Sequence, residues 1–228
     1  MKTPASLHVT KLAAAERQLK AAIRMFFARE DSLAVHTVAA AGYQLLADLK
    51  AKRGMNEAAD THLTSIFYAV RSFRRGTLPK HMTENPAVMA EITRLAELLP
   101  IGPDSKIKDV RVSVGVEVGK KYWQARHKTS NFLKHADKDS DAHLAEQDVD
   151  NANLLMQAIG AYLDLLHRQL LPEGLVLWLF VCARDDDGSA IPERLQPTFA
   201  LLSKLGPEEQ HEFCGAMIKK LSERASFA

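Results

Sequence analysis

The chain has 228 residues, 46% of them hydrophobic and 25% charged, and its 30 basic and 28 acidic side chains leave a formal charge of +2. That is a globular composition, and the near balance of charge excludes bulk attraction to nucleic acid or to a membrane surface, so either contact needs a local patch. The two cysteines, Cys182 and Cys214, lie in apolar stretches without CxxC or Cys/His ligand spacing, which predicts free thiols in a reducing compartment.

The opening MKTPASLHVTK has no apolar core of the secretory kind. The longest apolar run, LVLWLFVCA at 175–183, falls short of the roughly 20 residues that cross a bilayer. A cytoplasmic, non-membrane protein is the expectation.

Residues 9–29 place Leu12, Leu19, Ile23, Phe26 and Phe27 at helical spacing, with Thr10 as cap. Residues 32–52 are apolar or small almost all round as far as Gly42, apart from His36 and Thr37, which predicts a buried central helix capped by Asp31 or Ser32. The short link predicts a helical hairpin of these two. Residues 57–74 and 86–99 read as further helices, the latter with Pro86 in its first turn. PIGPD at 100–104 is the clearest break.

Next, VRVSVGVEVG at 110–119 alternates valine like a strand but has no clean partner. A helix from about Ser113 to His135 is predicted instead. Residues 144–170 predict a long helix ended by Pro172 and Gly174. Short helices follow at 175–184 and 192–205, and the last starts at Pro207. The predicted fold is all-α: a single-domain bundle of about seven to nine helices over 1–228, with a candidate subdomain break near 100–112.

The densest reactive chemistry lies in KTSNFLKHADKDSDAHLAEQD, 128–148. His127, Asn131 and His135 are spaced i, i+4, i+8 and share one side of a helix, flanked by Lys128 and Lys134. An imidazole that exchanges protons near neutral pH, an amide donor and two cations suit binding or cleavage of a phosphodiester. The bland alternative is a polar helix end.

SNFLKHAD resembles the motif region of the HEPN superfamily of helical nucleotide-binding domains. In that pattern an arginine and a polar residue precede a histidine on one helix. Asn131 matches the polar position, His135 the histidine, and Ser130 stands where the arginine belongs. The resemblance implies an all-α bundle and metal-independent RNA binding or cleavage by a homodimer. It makes His135 the general acid or base, Asn131 the group that positions a phosphate or 2′-hydroxyl, and Lys128 and Lys134 the cations offsetting phosphate charge. It needs no cofactor.

HADKDSDAH adds a second constellation. Asp137, Asp139, Asp141 and His143 alternate as oxygen and nitrogen donors do around a divalent metal, though Ala142 stands where a calcium loop has glycine. The alternative is a solvated acidic loop capping the helix from about Ala142. His36 reads as a satisfied core histidine, and Arg71, Arg74, Arg75, Lys80 and His81 as a solvated basic segment or a phosphate contact. No HExxH, P-loop, GxGxxG or GxSxG motif occurs. The functions left are an RNA-binding HEPN-like protein, a non-catalytic interaction protein with a cognate protein partner, and a metal-binding protein using the Asp/His loop.

Overall fold

Thr10 starts the first helix, α1 (Lys11–Phe27), as predicted: its hydroxyl accepts from the Ala13 N–H at 3.1 Å. α1 ends in a tight stop. Arg29 takes a left-handed φ of 56°, Arg29 N–H donates to the Phe26 carbonyl, and Glu30 N–H donates to that of Met25, both at 3.1 Å. These crossed bonds satisfy the last carbonyls and reverse the chain. Asp31 then caps α2 (Ser32–Lys52) by accepting from the N–H groups of Leu33 and Ala34. The structure is a computed structural model that describes residues 9–55, 57–106, 124, 127–134, 140–166, 171–185 and 191–225.

The remaining helices are α3 (Glu57–Arg75), the single turn α4 (Lys80–Thr83), α5 (Pro86–Leu98), α6 (127–134), α7 (Asn151–Leu165), α8 (Pro172–Arg184), α9 (Gln196–Leu202) and α10 (Pro207–Ala225). Short 3-10 turns occupy Glu146–Asp148 and Glu193–Leu195. The fold is all-α, and no strand occurs among the described residues. The valine-alternating stretch lies outside them.

The chain packs as two compact units, each assembled from separate segments. The first takes residues up to Met55, Thr129–Trp178 and Cys214–Ala228. Its centre is α2, buried along Val35, Ala39, Tyr43, Leu46 and Lys50. Close approach of α1 depends on Gly42, where an added Cβ would sit 3.3 Å from that of Gln18. α7 runs parallel to α2: His36 meets Asn151 near the start of both helices, and Lys50 meets Asp164 near their ends. α1 runs the other way, so that Glu16 near its start meets Tyr162 near the end of α7. Leu19, Ile23, Leu46, Leu155 and Leu165 are fully buried in this unit. Each contributes roughly 1.5–3 kcal/mol by leaving water.

The second unit takes Asn56–Lys128 and Leu179–Phe213. α3 packs on α5 through Phe67, Val70, Ala96 and Ile101, with Phe73, Leu95 and Leu99 around them. The arginines at the end of α3 fasten this contact. Arg74 donates to the Ala96 carbonyl and Arg75 to that of Pro103, while the Arg71 guanidinium lies over the rings of Phe67 and Tyr68. The start of α10 is set by Glu209, whose carboxylate accepts from Gly206 N–H at 2.9 Å.

Several predicted boundaries move: α8 starts at Pro172 and not at 175, and α9 covers Gln196–Leu202 of the predicted 192–205. The long helix expected over 144–170 begins only at Asn151, and helix continues only as far as Leu165. Asp150 supplies the cap, accepting from Asn153 N–H at 3.0 Å. The predicted start near Ala142 is therefore nine residues early, and 141–150 is a loop holding one 3-10 turn. Apolar periodicity does not register such a stop, because Leu144 and Val149 continue the pattern.

Candidate functional site

α6 alternates between solvent and core over a few residues. Thr129 and Ser130 are buried, whereas Lys128, Asn131, Phe132 and Lys134 are exposed. Three of the four residues predicted to act on an anion, Lys128, Asn131 and Lys134, are thus solvent-facing at three-residue intervals along one helix. The fourth, His135, lies outside the described residues. Ser130, in the place of the HEPN arginine, points into the first unit and not into solvent.

The inward side of α6 ends on a buried polar chain. Ser130 Oγ lies 3.3 Å from His36 Nε2, and His36 Nδ1 lies 3.2 Å from Asn151 Oδ1. Asn151 Nδ2 donates to the Ser32 carbonyl at 2.8 Å. His36, Ser130 and Asn151 are each less than 8% exposed. His36 is thus the satisfied core histidine that its apolar neighbours predict, and its partners include a hydroxyl and an amide. Sequence reasoning singled out His36 and noted Ser130 only in the place of an arginine, and it passed over Asn151. The available signal was the loss of apolar side chains at Thr129–Ser130 on a helix next to the core.

The second predicted constellation is divided. Asp141 and His143 are exposed in the loop before the 3-10 turn, and Asp137 and Asp139 lie outside the described residues. No group of three His, Cys, Asp or Glu side chains is placed to share a metal ion among the described residues. In the same loop Glu146 accepts from the Ser32 hydroxyl at 2.9 Å, tying it to the start of α2.

The basic segment at the end of α3 is engaged within its own unit. Arg74 and Arg75 donate to backbone carbonyls there, and Arg75 also lies 3.8 Å from Asp104. A depression of about 250 Å³ occurs between the start of α8 and the end of α10. Leu175, Val176, Met217 and Leu221 line it, with Lys220 as its charged residue, and among the described residues none of the predicted site residues lines it. Among the described residues no helix is long and apolar enough to cross a membrane.

No family model, curated protein or solved structure matches this chain.

Proposed function

We propose that this protein is a HEPN-like helical domain that binds RNA through the exposed strip of α6. The supporting observation is the phase of that helix: Lys128, Asn131 and Lys134 are exposed while Thr129 and Ser130 are buried. Two ammonium groups and an amide donor, set at three-residue steps along one helix, suit a run of phosphates. With a formal charge of only +2, the chain as a whole exerts little pull, so affinity has to come from such a local strip. His135 follows directly in sequence and is the proposed general acid or base for cleavage without a metal. A homodimer that brings two α6 helices together belongs to this reading.

Burial of Ser130 favours a second reading, in which the strip binds without turnover. Where the HEPN pattern carries a cation, this chain has a hydroxyl committed to His36. The same strip would then dock RNA or a cognate protein partner.

The test is titration of labelled single-stranded RNA at low salt, followed by incubation in EDTA. Binding that is lost in the Lys128→Glu/Lys134→Glu variant supports the RNA reading. Absence of binding by the wild type rejects it and leaves the protein-partner reading. Cleavage that persists in EDTA and disappears in His135→Ala assigns the catalytic role. Binding without cleavage selects the second reading.

A further inference from the structure

We infer that Ser130, His36 and Asn151 form a positioning relay that sets the rotational phase of α6. The functional consequence, an outward Lys128 and Asn131, rests on the RNA reading above, but the relay itself does not.

These contacts orient each group of the relay in turn, given a neutral imidazole. The Ser32 carbonyl can only accept, so the amide nitrogen of Asn151 faces it. Asn151 Oδ1 therefore faces the imidazole and can only accept, which requires hydrogen on His36 Nδ1. A neutral ring then offers a lone pair at Nε2, and the Ser130 hydroxyl donates to it. Three helices are joined by this chain: α2 through Ser32 and His36, α7 through Asn151, and α6 through Ser130.

The two apolar residues of α6 favour different phases. Leu133 follows Ser130 by three residues and Thr129 by four, so it shares their buried side and is itself half-buried, whereas Phe132 is 38% exposed. Burial of Leu133 and burial of Phe132 call for orientations about 100° apart. The hydrogen bond at Ser130 adds its weight to the first. With about 100° of rotation per residue, pinning residue 130 inward places Asn131 about 100° and Lys128 about 160° away around the helix. Those are two of the three exposed positions of the candidate strip; Lys134 lies about 40° from Ser130 and one turn further along.

Two measurements on the full chain test the relay. The first is nitrogen NMR of the His36 ring, where the expected species is the neutral Nδ1–H tautomer. The Nε2–H tautomer or an imidazolium overturns the assignment. The second compares wild type with Ser130→Ala, which removes one hydroxyl and keeps a good helix former, so the fold is retained. Hydroxyl-radical oxidation of Phe132 should fall severalfold as the helix turns, with the oxidation of other aromatic residues unchanged. RNA affinity should fall on the order of fivefold, the weight of one hydrogen bond. Unchanged Phe132 oxidation in Ser130→Ala overturns the relay. If the wild type binds no RNA, the RNA reading fails, and tautomer and footprint still decide the relay.

Discussion

The Lys50 ammonium and the Asp164 carboxylate meet at 2.5 Å, yet only the lysine has left water: its side chain is 1% exposed, the aspartate's 52%. The lysine stem runs through the contact between α2 and α7 and delivers its charge to the rim.

Asp164→Asn should therefore cost about 2 kcal/mol, less than the 3–5 kcal/mol for breaking a fully buried pair, because water reaches the carboxylate side. Lys50→Met keeps the stem volume and removes the charge that needs a partner, so its cost should stay under about 1 kcal/mol. Urea denaturation of both variants checks the order. Equal losses would place the stabilisation in the ion pair and not in the packed stem.

Tyr162 donates to Glu16 at 2.9 Å, and Glu16 also pairs with Lys20 at 2.7 Å. Lys20 first, and then the tyrosine hydroxyl, hold the Glu16 carboxyl below its ordinary 4.5. A lowered folded value gives stability that is present above pH 4.5 and lost as pH falls through the lowered value. Burial first, and then Glu16, push the Tyr162 phenol well above its ordinary 10. A raised folded value gives stability that is complete below pH 10 and lost as pH rises beyond it. Tyr162 should show its phenolate absorbance only when the protein unfolds. Tyr162→Phe should remove that late ionisation and cost about 1 kcal/mol at neutral pH.

The hairpin of α1 and α2 was legible because each local signal agreed: Thr10 and Asp31 as caps, apolar spacing, and small residues at Ala39–Gly42. α6 was legible only as a helix carrying exposed cations. Its phase was not, since Phe132 and Leu133 favour orientations about 100° apart and the structure buries Ser130 on the Leu133 side. That choice involves partners 94 and 21 residues away in sequence, His36 and Asn151, which no local periodicity encodes. The buried Lys50 was hidden for the same reason: a lysine near a helix end reads as solvated until a neighbouring helix covers it. The late start of α7 was missed because Asp150 caps a helix whose preceding loop is itself partly apolar.

Burial raises the Cys214 thiol to about 12. At pH 8 about one thiol in ten thousand is then ionised, and thiolate is the reactive form. Cys182 is only partly buried. A disulfide reagent at pH 8 should therefore modify one thiol in the native protein and the second only in denaturant. Cys182→Ala should abolish the fast reaction, whereas Cys214→Ala should leave it in place.

Two helical glycines predict opposite signs. Gly160 is exposed in α7 with nothing within 4 Å of an added Cβ, so Gly160→Ala should stabilise by about 0.5–1 kcal/mol through helix propensity. At Gly215 in α10 an added Cβ would lie 3.1 Å from the Phe27 carbonyl, a backbone atom that yields little. Gly215→Ala should lower the melting temperature despite the same propensity gain. A rise in both variants would show that the backbone of α1 gives way at this contact.

The strip on α6 makes a prediction about salt. Each phosphate neutralised on a single strand contributes about −0.7 to the slope of log affinity against log salt. If Lys128 and Lys134 each meet one phosphate, Lys128→Ala/Lys134→Ala should reduce the steepness by about 1.4 and weaken all RNA sequences alike. Asn131 is neutral, so Asn131→Ala should lower affinity and leave the slope unchanged. Anisotropy titrations at several potassium chloride concentrations separate the two effects. A double variant with the wild-type slope would remove these lysines from the contact, whatever its affinity.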